Sequence, residues 1–236
     1  MHDLSQRSHE SELMDAEDTD FATFRDCLRD LAQVNVLSMG YRPTLAFLDG
    51  LRRAGRIGPG RPVAILDAGS GYGDLLRAVD RWGARHGLDL RLTGVDLNPW
   101  SARAAAEATD PGRPIRWETG DVFDYEGRAD VIVSSLFTHH LDDALLVRFL
   151  RWMEERARIG WFVNDLHRHR LPEATFGTLA GALRFHRFVR HDGPVSFRRA
   201  FRPGDWERLL REAGVAEATV RRWFPFRLCV ARVKPS

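Results

Sequence analysis

Three glycines and two carboxylates form the most distinctive chemical pattern in the chain. Asp67 ends a short apolar run, and Gly69, Gly71 and Gly73 follow before a helical pattern begins at Asp74. Alternating glycines let the backbone turn tightly and approach a ligand closely. A dinucleotide would place its diphosphate at the helix start, where the carboxylate of Asp74 would repel it. The pattern therefore favours a nucleoside ligand with an ammonium group near Asp67.

A further acidic residue follows the next apolar run. Leu90 to Val95 reads as a strand, and Asp96 comes directly after it, 23 residues beyond Gly73. Nucleotide-binding α/β folds have an acidic residue about 20 residues past the glycine loop, where it binds ribose hydroxyls. Each feature also has an ordinary explanation, because glycines serve turns and Asp96 can cap a helix that begins near Pro99. Their occurrence together favours a nucleoside cofactor.

Two other segments carry side chains that can move a proton. His139 and His140 follow the fourth predicted strand, and His167 follows the fifth. Histidine titrates near neutrality, so each of them can act as a general base. In an extended segment Asp165 and His167 face the same side, so the carboxylate would orient the imidazole of His167. Alternatively, one of these histidines caps a helix or bonds to the backbone.

Three segments in order resemble the successive motifs of class I S-adenosylmethionine-dependent methyltransferases. They are Asp67 to Gly73 (DAGSGYG), Gly94 to Pro99 (GVDLNP) and Gly120 to Val122 (GDV). The resemblance extends from about Arg61 to the C-terminus. It implies that S-adenosyl-L-methionine is the cofactor.

The resemblance also implies which residues contact the cofactor. The glycine loop would pass under the methionine moiety, with Asp67 near its amino group. Asp96 would hold the ribose hydroxyls, and Asp121 with Val122 would flank the adenine. The cofactor-binding residues expected on this basis are Asp67, Gly69, Ser70, Gly71, Gly73, Asp96, Leu97, Asp121, Val122 and Ser134.

The segment after the fourth strand narrows the class of acceptor. Ser134 to Leu141 (SSLFTHHL) lacks the Asn-Pro-Pro-Tyr motif of enzymes that methylate amide or adenine nitrogens. It resembles the small-molecule methyltransferases of ubiquinone and menaquinone biosynthesis, and Asn164 to His169 (NDLHRH) resembles methyltransferases of bacterial polyketide clusters. We therefore expect in-line O-methylation of a phenolic, quinol or polyketide-like acceptor. The base would be His139, His140 or His167.

No metal, disulfide or membrane span is expected. Metal-dependent catechol-type enzymes carry carboxylates after both strands four and five, whereas strand four of this chain ends in serine. Cys27 and Cys229 are far apart and form no C-x-x-C spacing. No apolar run approaches the about 20 residues of a membrane helix, and the N-terminus lacks a signal-peptide pattern. These features predict a cytoplasmic protein.

Charge is distributed unevenly along the chain. Residues 1–144 carry 16 basic and 24 acidic side chains, whereas residues 145–236 carry 19 and 9. Such asymmetry can indicate nucleic-acid binding, but the arginines are spread along helical faces and form no single run. We expect a small-molecule acceptor and no nucleic acid. An RNA methyltransferase and a non-catalytic S-adenosylmethionine-binding partner subunit are the alternatives, and the choice between monomer and homodimer stays open.

Strand and helix patterns alternate from residue 61 onward, which predicts an α/β fold. The expected architecture is a Rossmann-like, doubly wound, seven-stranded and mostly parallel sheet with an antiparallel edge strand. Residues 1–18 are polar and predict a disordered leader, and residues 19–60 predict an N-terminal helical extension. Residues 61–236 would form the methyltransferase domain. Within it, residues 168–201, rich in phenylalanine and arginine, would be a helical insertion that covers the substrate.

Overall fold

The computed structural model describes residues 3–15 and 20–235, and its centre is a seven-stranded sheet of order β3-β2-β1-β4-β5-β7-β6. Strands β1 to β5 are parallel, and β7 runs antiparallel to both β5 and β6. This confirms the predicted α/β sheet with an antiparallel pair at its edge. The strands are β1 Val63–Ala68, β2 Leu90–Asp96, β3 Ile115–Thr119, β4 Ala129–Ser135, β5 Ala157–Leu166, β6 Thr219–Trp223 and β7 Arg227–Val233.

Helices cover both faces of the sheet. Successive residues of β1 point to opposite faces of the sheet. Leu66 packs against α5 and α8 on one face, and Ile65 packs against α2 and α3 on the other. Strands buried on both faces are the reason that the sequence shows continuous apolar runs there. The helices are α1 Phe21–Leu37, α2 Arg42–Arg53, α3 Asp74–Arg85, α4 Pro99–Glu107, α5 Asp143–Arg156, α6 Arg170–Ala182, α7 Arg187–Arg199 and α8 Pro203–Ala213.

Side-chain caps determine where several helices begin. Asn98 caps α4 by accepting the N–H of Trp100, so the helix cap expected at Asp96 lies two residues further on. Asp142 caps α5 by accepting the N–H of Leu145. Residues 138–140 form a separate 3-10 turn before that cap. In the described part of the chain, no helix is long and apolar enough to cross a bilayer.

The N-terminal segment differs from the disordered leader expected for residues 1–18. Residues 3–15, here called the N-terminal strap, pack against the domain, and Leu4 is only 2% exposed. Arg168 donates to the carbonyl of Leu4 at 3.0 Å, and Arg7 donates to the carboxylate of Asp143 at 2.7 Å. Polar composition failed as a signal because the polar groups of the strap find partners far along the chain. Residues 1, 2 and 16–18 lie outside the described residues.

Helices α6 and α7 form a hairpin within the predicted insertion, residues 168–201. Gly193 permits their close approach, because an added Cβ there would lie 2.1 Å from a ring carbon of Phe176. Helix α7 also contacts α1 and the short 3-10 turn Leu13–Asp15 of the strap. The hairpin, α1 and the strap therefore pack together beside the carboxyl ends of the central strands.

Two tryptophans give a matched test of where the core lies. Trp206 of α8 has no exposed surface, whereas Trp223 of β6 is 37% exposed. Removing a buried aromatic side chain costs about 3–5 kcal/mol of unfolding free energy, and a surface change costs about 0.5 kcal/mol or less. We expect Trp206→Ala to show the larger loss in urea denaturation and Trp223→Ala the smaller one. Equal losses would contradict this packing.

Candidate functional site

One large cavity lies at the carboxyl ends of the parallel strands, where the turns after β1, β2 and β4 meet, and its volume is about 1280 Å³. Helices α1, α6 and α7 and the strap complete its walls. A pocket for one drug-sized ligand measures about 300–1,000 Å³, so this cavity has room for two molecules. The predicted cofactor-binding residues that line it are Asp67, Gly69, Ser70, Gly71, Asp96, Leu97, Asp121 and Val122.

The glycine loop follows β1 with its three glycines in the left-handed region. The φ angles are 74°, 49° and 70° at Gly69, Gly71 and Gly73. An added Cβ would lie 2.5 Å from the ring of Phe137 at Gly69 and 2.2 Å from the ring of Trp117 at Gly73. At Gly71 the nearest atom to such a Cβ would be 3.9 Å away. Gly71 therefore leaves space for a ligand, whereas Gly73 packs against Trp117 and does not line the cavity.

Asp67 presents a buried carboxylate to the cavity. Its side chain is almost fully buried, and its Oδ1 atom has no hydrogen-bond partner among the described residues. Burial raises the pKa of Asp67 well above its usual value, and the charges of Asp74 and Asp96 add to this effect. A buried carboxylate is costly unless a cation pairs with it. An ammonium group of a ligand fits this atom.

Asp96 lies between the glycine loop and the start of α4. Its Oδ2 accepts the N–H of Gly71 at 2.8 Å, and its Oδ1 accepts the N–H of Asn98 at 3.0 Å. Burial raises the pKa of Asp96, and these two hydrogen bonds oppose the shift. Each carboxylate oxygen keeps a lone pair that can accept from a ligand hydroxyl. The geometry suits a ribose with two free hydroxyls.

The far end of the cavity is formed by the turns after β2 and β3. Leu97 is exposed at the cavity mouth, and Asp121 caps the 3-10 turn that begins at Val122. These residues offer an apolar and polar edge for a nucleobase. Ser134 does not line the cavity, because it is fully buried and its hydroxyl donates to the carbonyl of Ala68 at 2.8 Å. Its predicted contact with the cofactor has no support in this geometry.

His139 is bonded to Asp165 on the other side of the cavity. The Nδ1 atom of His139 lies 2.7 Å from Oδ1 of Asp165, and the carboxylate also accepts from the His139 backbone N–H at 3.0 Å. Thr138 donates its hydroxyl to the same carboxylate at 2.5 Å. Burial raises the pKa of Asp165, but the imidazole and these hydrogen bonds outweigh it and lower the pKa below its usual value. The pair fixes the orientation of His139.

Glu12 of the strap faces both neighbouring histidines. Its carboxylate oxygens lie 3.6 Å from Nε2 of His139 and 3.9 Å from Nε2 of His140, and it accepts from the Ser196 hydroxyl at 2.7 Å. Burial alone would raise the pKa of Glu12, but its contacts with the histidines lower it to about 2. The ligand-type atoms of Glu12, His139 and His140 lie within 4.8 Å of one another, so a divalent ion would find three such atoms within reach.

His167 lies away from this group. It does not line the cavity, and its backbone N–H donates to the carbonyl of Phe226 at 2.8 Å. Asp165 therefore orients His139, and the expected pairing of Asp165 with His167 is wrong. The reason is that the Asp165 carboxylate is taken by Thr138 and His139 from the turn after β4, whereas His167 forms a β-bridge with Phe201. Burial and nearby arginines lower the pKa of His167.

Sequence reasoning missed several charged residues of the cavity, among them Glu12 and Arg227. Glu12 sits in a segment without periodicity, and Arg227 sits in an alternating strand pattern. Neither position carries a motif. Only the folded arrangement brings them to the cavity, so no local signal could have identified them.

Residues 65–160 match the family model described as a methyltransferase domain. Solved methyltransferase structures share the fold. The magnesium protoporphyrin IX methyltransferase of Synechocystis PCC 6803, with bound S-adenosylhomocysteine, is 14% identical with a TM-score of 0.56, over 93% of this chain and 90% of that one. The plantazolicin methyltransferase with the same ligand is 11% identical with a TM-score of 0.60, over 89% and 95%.

Human N-acetylserotonin methyltransferase with S-adenosylmethionine is 16% identical with a TM-score of 0.63, over 92% of this chain and 57% of that one. No curated protein matches the sequence. The sheet order and the glycine loop with its two carboxylates match the fold of these methyltransferases, which were solved with S-adenosylmethionine or S-adenosylhomocysteine. The ammonium group and the ribose of S-adenosylmethionine fit Asp67 and Asp96.

Replacement of the unpaired carboxylate should separate ligand binding from stability. A hydrogen bond to a charged group contributes about 1.5–3 kcal/mol, which corresponds to about 10-fold to 150-fold in affinity. We expect Asp67→Asn to weaken S-adenosylhomocysteine binding by that factor in calorimetry, without lowering the melting temperature of the free protein. Asp89→Asn, at an exposed site, is the control. Unchanged affinity in Asp67→Asn would contradict the ammonium contact.

Proposed function

We propose that the protein transfers a methyl group to an oxygen of a small phenolic, quinol or polyketide-like acceptor, with His139 as the base. The observation that carries this proposal is the His139–Asp165 pair. His139 lines the same cavity as the glycine loop and Asp96, and Asp165 orients it from behind, so the base and the cofactor site share one enclosed space.

The walls of the cavity support an apolar, flat acceptor. Beyond the cofactor-facing turns, α1, α6 and α7 contribute mainly aromatic and aliphatic side chains. These wall residues are Phe24, Leu28, Leu31, Phe176, Leu179, Leu183, Val189 and Phe197. An apolar lining with few polar groups is the usual setting for a small-molecule ligand. The names of the similar proteins, which refer to magnesium protoporphyrin IX and N-acetylserotonin, are in keeping with such an acceptor.

The chemistry requires positioning and one proton transfer. Bound S-adenosylmethionine supplies a methyl group on a positively charged sulfur. Asp165 holds Nδ1 of His139, so Nε2, which lies 3.6 Å from the Glu12 carboxylate, is the atom that would take the proton of the acceptor hydroxyl. As the acceptor O–H bond breaks, an N–H bond would form on His139, and the oxygen would gain the methyl group while the S–CH₃ bond of the donor breaks and leaves a neutral thioether. The strap and the α6–α7 hairpin keep water from the pair, since His139 is only 3% exposed.

The charges around His139 determine its pKa and therefore the pH at which it can accept a proton. Burial lowers the pKa of His139, but Asp165 and Glu12 outweigh burial and raise it to about 9. His140 lies beside it, and the guanidinium groups of Arg7 and Arg199 donate to the His139 carbonyl. His139 is therefore mostly protonated at pH 7, and its basic form increases as the pH rises toward 9.

Removal of the base should lower turnover without affecting the cofactor. General base catalysis contributes about 10²-fold to 10⁴-fold. With a panel of simple phenols and quinols, we expect His139→Ala to lower kcat by at least about 10²-fold. The variant should bind S-adenosylhomocysteine as the wild type does. His167→Ala, outside the cavity, is the matched control and should retain wild-type kcat.

Three outcomes would contradict the role of His139 as the general base. One is wild-type turnover in His139→Ala. Another is loss of activity on chelation with recovery on adding a divalent ion, which would assign Glu12, His139 and His140 to a bound metal. The third is methyl transfer to RNA and to no phenol, with steep salt dependence of RNA binding.

The carboxylate of Glu12 should shift the pH dependence of the reaction. In the wild type, kcat/KM for a phenol should rise with pH toward about 9, because His139 must lose its proton. Glu12→Gln removes one negative charge that raises this pKa, so the rising limb should move to lower pH. Glu10→Gln is the control, because Glu10 lies in the same strap but pairs with Arg198. This variant should leave the rising limb of the pH profile at the same pH as in the wild type. Coincident profiles for Glu12→Gln and the wild type would refute the assignment.

A further inference from the structure

Two buried side-chain atoms at the cavity have no hydrogen-bond partner, and one belongs to an acidic side chain and the other to a basic one. They are Oδ1 of Asp67 and Nη1 of Arg227, and both residues line the cavity. No other cavity-lining residue in the described part of the chain contributes a buried atom of this kind. Buried polar groups in native proteins nearly always have partners, so each such atom calls for an explanation.

Arg227 is held in place without its charge being neutralised. It is 4% exposed at the start of β7, and its Nη2 donates to Oδ1 of Asn35 and to the hydroxyl of Ser38, each at 3.3 Å. Both partners are neutral. No carboxylate among residues 3–15 and 20–235 forms a salt bridge with it. An arginine keeps its charge even in such surroundings, and its remaining donors are suited to an anion.

The nearby acidic groups do not take this role. Asp74, at the start of α3, accepts from Tyr41 at 2.8 Å and from Asn35 at 3.1 Å. Asn35 therefore stands between Asp74 and Arg227. The carboxylate of Asp165 is bonded to Thr138 and His139. The guanidinium thus lines the cavity beside Asn35, which separates it from Asp74.

We propose that Arg227 binds a carboxylate of a ligand in the cavity, through the buried donor that has no partner in the protein. The methionine end of the cofactor is one source of such a carboxylate, and an acidic acceptor is the other. Charge-assisted hydrogen bonds from arginine to a carboxylate are among the stronger polar contacts in proteins.

Calorimetry with two ligands tests the cofactor source directly. The probes are S-adenosylhomocysteine and its decarboxylated analogue, which keeps the ammonium group and lacks the carboxylate. We expect the wild type to bind the analogue at least about 10-fold more weakly. Arg227→Gln should bind both ligands with the weaker affinity, since the variant and the missing carboxylate remove the same contact. The comparison within the wild type needs no variant, so it holds even if Arg227→Gln folds poorly.

Arg232→Gln is the matched control, because Arg232 lies on the same strand, pairs with Glu154 and does not line the cavity. The Arg232→Gln variant should bind S-adenosylhomocysteine more tightly than the decarboxylated analogue by the same factor as the wild type. A second arm addresses the acceptor source by comparing 4-hydroxybenzoate with phenol in the presence of S-adenosylhomocysteine. Preference for the acid in the wild type and its loss in Arg227→Gln would place the carboxylate on the acceptor.

If the wild type shows no carboxylate preference in either arm, or if Arg227→Gln keeps the preference, the proposal is overturned. The readouts are binding affinities and involve no methyl transfer. The proposal can therefore fail while O-methylation by His139 stands, and the reverse also holds.

Discussion

A carboxylate with no exposed surface needs partners for its charge, and the site depends on how Asp165 meets this need. Asp165 ends the buried part of β5 and bonds to the hydroxyl, the backbone N–H and the imidazole that follow β4. These bonds join two neighbouring strand ends and fix one nitrogen of His139. Loss of one of these hydrogen bonds would leave the buried charge of Asp165 less well paired. The free-energy cost of an unpaired buried charge therefore stabilises this arrangement, in addition to the 3-10 turn after β4.

The remaining elements complete the surroundings of that pair. The strap brings Glu12 to the outer nitrogen of His139, and the α6–α7 hairpin with α1 closes the apolar wall. The glycine loop opens space at Gly71, while Asp67 and Arg227 each keep one buried polar atom without a partner in the protein. The cavity thus has a polar end that fits an amino acid and a nucleoside, and an apolar part beside a base. A methyl donor and a flat acceptor would meet between them.

Much of the fold could be predicted because its signals are local. The run from Val63 through the glycines encodes a strand, a turn and a helix within a few residues, and the same is true of β2 with Asp96. The choice among the histidines could not be made, because the partner of Asp165 lies 26 residues away and meets it only when β4 and β5 pair in the sheet. The role of the strap was hidden for the same reason, since Glu12 meets Ser196 across 184 residues. Composition describes the average behaviour of a segment and cannot identify such a partner.

A crystal structure with S-adenosylhomocysteine and a bound phenol would show directly how donor, acceptor and base are arranged. We expect the ligand sulfur and the phenol oxygen side by side in the cavity, with that oxygen within hydrogen-bond distance of Nε2 of His139. We also expect the ribose on Asp96 and the ammonium group on Asp67. A phenol oxygen bound away from His139, or a cofactor whose amino acid end lies far from Asp67, would contradict this arrangement.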